Sequence, residues 1–381
     1  MMKNKIEIPQ IVKDIAKVLI DNGNQAFVVG GAVRDAVMDV ECKDIDIATD
    51  LFVDDVILLF KDLKMTKEIK LTGDKFPVAR IFTTCGEEFE IATFRSDIGE
   101  GKDTGFKIET SINGDVARRD FTFNALFANA LTGEIVDLVG GIDDLDNKII
   151  RFVGDPIQRI NEDRTRLLRL VRFSERFGFT IADFDLIKSN NILIRNLEEK
   201  DKVKKEMIVT EITKGFEQAK NKVSFFKTLS KLELFQQSFP SLDICNPFIS
   251  FDSIELMLVQ CFCLNFNEDV LQVMKEMKWS NDCIDRVNII LRFAEMDIEK
   301  SDFDIPDLSR FIKKIKSSGL REILDDSAIS ILFGTKGEKF VKSLLGFELT
   351  VKNTDFSNIP NGPELGKAIH DKEIKNLKKL L

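Results

Sequence analysis

Tyrosine is absent from this chain of 381 residues, histidine and tryptophan occur once each, and proline only eight times. No tyrosine hydroxyl is available to donate or accept a hydrogen bond. The lone histidine, His370, leaves little room for Ser-His-Asp, Cys-His or multi-histidine metal chemistry, so catalysis must rest on carboxylates and cationic side chains. The cysteines (Cys42, Cys85, Cys245, Cys261, Cys263, Cys283) include one Cys-x-Cys but no Cys-x-x-Cys pair, and read as reduced, mostly buried thiols. The most apolar stretch, residues 254–266, is interrupted by Glu255, Gln260 and Asn265 and falls short of the ~18 to 20 apolar residues that span a bilayer. The opening MMKNKIEIPQ carries no apolar signal segment, so no membrane association and a cytoplasmic location are expected.

With 44% hydrophobic and 31% charged residues the chain can bury a core, and its length predicts several compact units. A net charge of −9 excludes a surface that coats nucleic acid everywhere, but not a local basic patch. The clearest such stretch is residues 151–176, where seven Arg against four acidic residues give a local +3. Phenylalanine is abundant, at 32 residues.

Up to about residue 155, short β-like runs (26–29, 45–48, 78–83, 89–94) alternate with short helical stretches and turn residues, which predicts an α+β unit. Beyond about residue 157 apolar residues recur at spacings of three and four, in 167–177, 208–216, 254–264 and 270–277, which predicts helices. PDLSR (306–310) and NTDFSNIPNGP (353–363) read as boundaries or loops.

FVVGGAVRD (27–35) is an apolar strand running through Gly30 and Gly31 into a helix with Arg34 and Asp35. A sharp glycine turn, a helix N-terminus and a cation together suit a triphosphate, although the joint taken singly reads as a plain structural turn. In KDIDIATD (43–50) Asp44 and Asp46 alternate with Ile45 and Ile47, so a strand there turns both carboxylates to one side. A divalent cation or a proton relieves their repulsion; Asp-x-Asp alone reads as a solvated polar edge, and the Gly-Gly-x-x-Arg-Asp turn before it favours the metal. EEFEIATFR (87–95) offers a third carboxylate, Glu90, with Glu88 the competitor on the same face. In RRDFTFN (118–124) adjacent Arg and Asp pair a phosphate donor with a hydroxyl acceptor. NEDRTRLLRLVRFSERFGF (161–179) reads as one helix turning Glu162, Asp163, Arg166, Arg169 and Arg176 to polar surroundings and Leu167, Leu170, Val171 and Phe177 to a core.

This ordered series, from GGAVRD and DIDIAT through EIATFR, RRDFTFNALF (118–127), GEIVDLVGGIDDLDNKIIRFVGDP (133–156) and NEDRTRLLRLVRFSERFGF, resembles the class II tRNA nucleotidyltransferases over residues 25–181. That family includes the CCA-adding enzymes and the bacterial poly(A) polymerases. The resemblance implies a polymerase-beta-like head (1–150) followed by an elongated all-helical neck that selects nucleotides (151–215), a body (216–300) and a tRNA-binding tail (301–381). It implies that Asp44, Asp46 and Glu90 are the catalytic, metal-binding carboxylates for Mg²⁺. Gly30, Gly31 and Arg34 would meet the triphosphate, Arg119, Asp120 and Asn124 the ribose and phosphates, and Asp163, Arg166 and Arg169 the incoming nucleotide. The implied reaction extends the tRNA 3′ end, held by its acceptor arm, with C, C and A from CTP and ATP. Poly(A) addition, partial CC- or A-addition and a noncatalytic nucleotide- or RNA-binding module are the alternatives; the oligomeric state is left open. Two segments depart from the family pattern: residues 95–117 are less basic than in many members, and DLVGG stands where members often have DPFGG.

Overall fold

The computed structural model describes residues 4–42, 44–73, 76–98, 105–191, 203–238, 250–261, 268–295 and 318–325, with shorter stretches between 328 and 376. His370, the segments 306–310 and 353–363, and most of the expected tail lie outside the described residues. The chain divides into two units, residues 1–203 with 218–220, and residues 204–217 with 221–381.

The first unit is built on a seven-stranded mixed sheet. Its strands are β1 (Phe27–Val29), β2 (Asp46–Thr49), β3 (Thr66–Thr72), β4 (Val78–Thr83) and β5 (Glu88–Thr93). A separate hairpin pairs β6 (Arg95–Ile98) with β7 (Gly105–Ile108), and β8 (Phe127–Asn129) and β9 (Ile135–Val136) complete the large sheet. A third, two-stranded sheet pairs β10 (Ile149–Ile150) with β11 (Thr180–Ile181). The order of the large sheet is β3-β4-β5-β2-β1-β8-β9, and only β2 and β5 run parallel. A parallel pair needs a crossover. Here the chain between β2 and β5 supplies the helix Val53–Phe60, packed on β4 and β5, and the β3–β4 hairpin.

Alternation of β-branched and polar residues turns Ile47, Ile81, Phe89 and Ile91 into the core. The helix Gln10–Asp21 buries Val12, Ile15, Ala16 and Leu19, the spacing of one helical face. A second apolar centre is made of phenylalanines: Phe121, Phe123, Phe152, Phe173, Phe177 and Phe179 touch one another with ring centroids 5.1 to 6.0 Å apart. They join the RRDFTFN segment to the helix Thr165–Phe177 by burial alone, since none carries a hydroxyl.

Asp137 of the DLVGG segment accepts backbone N–H bonds from Val139, Gly141 and Ile142 and so caps the helix Gly141–Asp146. A Cβ on Gly141 would stand 2.4 Å from the Thr122 carbonyl oxygen, so only glycine allows the helix to approach RRDFTFN this closely. The cap uses Asp137 and the two glycines, and neither depends on the residues at the departing Leu138 and Val139 positions.

In the second unit every assigned element among the described residues is a helix, including Lys205–Gln218, Lys222–Lys231, Ile254–Cys261 and Asn281–Glu295. Phe216, Phe225, Phe226 and Phe235 pack together. Buried Glu255 pairs with Arg286 at 3.2 Å, and the single tryptophan, Trp279, is also buried. Among the described residues no helix is long and apolar enough to cross a membrane.

Candidate active site

β1 ends at Val29, and Gly30 follows with φ 65° and ψ −123°, a backbone conformation open to glycine. Its N–H donates to the Leu126 carbonyl, and its own carbonyl accepts from Arg34 N–H to start the helix Gly31–Val37. A Cβ on Gly30 would lie 2.8 Å from Nη1 of Arg119, so the Arg119 guanidinium rests directly against this turn. A Cβ on Gly31 would lie 3.4 Å from Arg34.

Arg34, expected to face a triphosphate, is turned inward and only 4% exposed. Nε donates to Asp35 at 2.7 Å and Nη1 to Oδ1 of Asn124 at 2.6 Å, and the guanidinium lies over the Phe173 and Phe177 rings. Asn124 passes the contact on, donating Nδ2 to Oδ1 of Asp120 at 3.1 Å, while Oδ2 of Asp120 accepts from Nε and Nη2 of Arg169. Burial raises the Asp120 carboxyl, but Arg169, Asn124 and the Phe121 N–H outweigh it and hold it below the usual carboxylate range. Arg34, Asn124, Asp120 and Arg169 thus form one hydrogen-bonded chain.

Asp46 is the first residue of β2, and Asp44 lies two residues ahead of the strand rather than within it. The strict alternation expected from Asp44 onward therefore begins two residues late, at Asp46. Asp46 is the register partner of Glu90 on the parallel strand β5, and Glu90 is in turn the partner of Arg80 on β4. Three side chains so form a row across three strands, with Arg80 bonded to Glu90 at 2.7 Å and paired with Glu88 at 2.9 Å. This register puts Glu90, not its competitor Glu88, opposite Asp46.

The Asp46 carboxyl is raised to about 6, first by desolvation and then by Glu90, with a smaller push from Asp44 and a pull down from Arg119. Its outer surface is exposed, yet enough protein crowds it to cost part of its hydration. Among the described residues no group of three or more His, Cys, Asp or Glu is arranged to hold a metal, and Glu90 is bonded to Arg80. The donor chemistry nevertheless fits a hard divalent cation: oxygen ligands only, and surplus negative charge felt at Asp46.

RRDFTFN is anchored by a residue outside the motif. Asp115 accepts from Nε and Nη2 of Arg118 at 2.9 and 2.6 Å, and from Nε and Nη2 of Arg119 at 3.1 and 2.8 Å. Burial raises its carboxyl, but the two arginines outweigh this and lower it. The sequence signal was present: in DVARR the acid stands three and four residues before the arginines, one helical face.

The expected single helix over 161–179 is two helices, Pro156–Glu162 and Thr165–Phe177. Asp163 breaks it with extended backbone at φ −150°, and its Oδ1 caps Thr165 by accepting from both N–H and Oγ1. Arg166 is buried, donating to Glu162 at 2.8 Å and to the carbonyls of Arg159 and Arg118 at 2.9 Å each. Arg159 donates to the Ala117 carbonyl and to Glu162. Arg159, Arg166 and Arg169 thereby tie these helices to residues 117, 118 and 120 in succession.

The sequence model of a family described as the poly A polymerase head domain matches residues 26–151. The chain is 31% identical over 306 residues to the CCA-adding enzyme of Lactobacillus helveticus, which covers 76% of this chain and 73% of that one. It is 38% identical over 207 residues to the CCA-adding enzyme of Oceanobacillus iheyensis, covering 53% and 48%. Among solved structures, the Bacillus stearothermophilus CCA-adding enzyme in complex with CTP superposes with TM-score 0.69 at 21% identity, covering 97% of this chain and 93% of that chain. The Thermotoga maritima CCA-adding enzyme complexed with tRNA gives 0.63 at 21% identity, over 97% and 91%. The solved structures carry the fold, and the Lactobacillus relative, similar over three quarters of both chains, carries the kinship: this chain belongs to the CCA-adding enzyme family.

Proposed function

We propose that this nucleotidyltransferase adds C, C and A to tRNA 3′ ends from CTP and ATP without a nucleic-acid template. The observation that supports it most directly is the position of Arg119, which lies against the Gly30 turn and whose charge reaches Asp46, next to Glu90. A triphosphate seated on the Gly30–Gly31 turn would have Arg119 at one side and the carboxylates at the other. The 3′ hydroxyl oxygen of the RNA attacks the α-phosphorus, the bond to the β-phosphate oxygen breaks, pyrophosphate leaves and a proton is released. Asp44, Asp46 and Glu90 would hold divalent cations, Mg²⁺ in this reading, which when bound activate the attacking hydroxyl and neutralise the leaving pyrophosphate.

Asp120 and Asn124 orient the ribose, and Arg34, buried behind them, keeps the Asn124 amide from turning over. Asp163 and Arg166 select the base. Cytosine and adenine both present an amino donor beside a ring-nitrogen acceptor, which an Asp acceptor and an Arg donor match. Uracil and guanine present the reverse order. Thr165 occupies Oδ1 of Asp163 and leaves Oδ2 for an amino group. The assignment of residues 1–150 as head, 151–215 as selecting neck, 216–300 as body and 301–381 as tail gives the helical part the acceptor arm of tRNA.

The test is incubation with Mg²⁺, single or mixed nucleoside triphosphates, and tRNAs lacking all, part or only the last nucleotide of the CCA end, followed by sequencing of the 3′ ends. Stepwise completion to CCA is expected. Long A tracts would instead identify a poly(A) polymerase, and no extension would leave a nucleotide-binding module.

A further inference from the structure

We propose that Asp115 is a positioning residue for the incoming nucleotide, holding the Arg119 guanidinium against the Gly30 turn so that its free N–H groups meet the triphosphate. Asp115 lies in the short helix Ile112–Ala117, and its side chain is 2% exposed. One carboxylate oxygen, Oδ1, serves Arg118, and the other, Oδ2, serves Arg119, each guanidinium being gripped along its Nε–Nη2 edge. A planar fork held by that edge has one direction left to point.

For Arg119 that direction is fixed from three further sides. Nη1 donates to the Asn124 carbonyl at 3.1 Å, the guanidinium carbon lies 4.8 Å from the Phe127 ring centroid, and the same Nη1 is the atom a Gly30 Cβ would strike at 2.8 Å. Each terminal nitrogen keeps one N–H beyond these bonds.

The carboxylate is needed because cations crowd here. Arg118 and Arg119 are adjacent, and Arg95 is close enough to feel both, its backbone N–H donating to Asp115 Oδ1 at 3.4 Å. Replacing the charge of Asp115 by a neutral group leaves three guanidinium groups to repel one another, and Arg119, 16% exposed in its side chain, is free to swing outward.

This inference rests on the nucleotidyl-transfer reading, and the two can fail separately. The full-length protein is assayed with Mg²⁺ for CTP and ATP incorporation into tRNA lacking terminal nucleotides. No incorporation by the unaltered protein would defeat the function; the variants test Asp115. In Asp115→Asn, KM for CTP and for ATP should each rise roughly tenfold or more, the consequence of weakening a hydrogen bond to a charged group. Turnover and KM for tRNA should hold, and inhibition by pyrophosphate should weaken by the factor seen for KM. In an Arg119→Ala background the same substitution should add nothing further, because Asp115 acts through Arg119. Unchanged nucleotide KM, an equal rise in tRNA KM, or effects that multiply in the double variant would overturn the proposal. Should Asp115→Asn not fold, Asp115→Glu keeps the charge but moves it: a raised nucleotide KM supports positioning, and a wild-type KM reduces Asp115 to a fold residue.

Discussion

Arg169 donates through Nε and Nη2 to the same oxygen of Asp120, at 2.9 and 2.6 Å, across 49 residues of chain. The bond joins the helix Thr165–Phe177 to the RRD segment and holds the Asp120 carboxyl low despite burial. Because the folded value is depressed, the pair stabilises the fold above the ordinary value of 3.8, and that contribution is lost as pH falls through the lower folded value. Arg169→Ala leaves a buried carboxylate without its cation. Discounting for the partial exposure of Arg169, the loss should be about 2 kcal/mol at neutral pH. Urea unfolding at pH 7 and near pH 3 should show the gap between variant and parent narrow in acid; a constant gap would mean the pair is not electrostatic in origin.

Asp44→Asn and Asp46→Asn should each abolish transfer or nearly so, by loss of a charged oxygen ligand. Neither should unfold the protein. At Asp46 the charge is already opposed by desolvation and by Glu90, so its removal relieves repulsion in the metal-free state. Circular dichroism and single-turnover extension, taken on the same samples, decide this; near-normal turnover in either variant would refute the carboxylate assignment.

Gly30→Ala carries two penalties with different readouts. A φ of 65° with ψ −123° strains any side chain by about 1 to 3 kcal/mol, which thermal unfolding reports. The new Cβ also meets Arg119 Nη1 at 2.8 Å and must push it aside, so KM for CTP should rise beyond what the lost stability explains. An unaltered KM in a destabilised variant would show that Arg119 does not serve the turn.

Arg166→Ala should lower CTP and ATP incorporation and narrow their advantage over UTP and GTP. It should also destabilise by about 2 to 4 kcal/mol, since the Arg159 and Arg118 carbonyls and Glu162 all lose a donor. The ratio of CTP and ATP to UTP and GTP separates the two effects: a variant that is less stable but equally selective would assign Arg166 to structure.

Much of this was legible in the sequence where apolar alternation or helical spacing is strong. The run 78–83 coincides with β4, and the apolar stripe of 167–177 lies within one helix. The β6–β7 hairpin was not legible, because Arg95, Ser96 and Asp97 give β6 no alternation and the single alternation Phe106-Lys107-Ile108 in β7 is too short to mark a strand. The break at Asp163 was masked by a good helical pattern on both sides, and only side-chain capping of Thr165 reveals it. The sequence offers Asp44, Asp46, Glu88 and Glu90 as candidates, but which of Glu88 and Glu90 stands opposite Asp46 is a question of register between strands distant in sequence. The surroundings of Arg34 were not legible for a related reason: besides the adjacent Asp35, the Asn124 amide and the Phe173 and Phe177 rings that receive its guanidinium come from segments distant in sequence.

A chain without tyrosine whose one tryptophan, Trp279, lies buried in the second unit divides its optical signals as its fold divides its residues. Indole emission reports that helical unit alone, and the sheet-bearing unit with its cluster of phenylalanines is silent when excited at the indole band. A denaturation curve followed by fluorescence therefore observes the second unit, whereas one followed by far-ultraviolet dichroism observes the backbone of both. If the two curves coincide, the units unfold as one cooperative system; if they separate, the order of the transitions names the weaker unit without any label being attached.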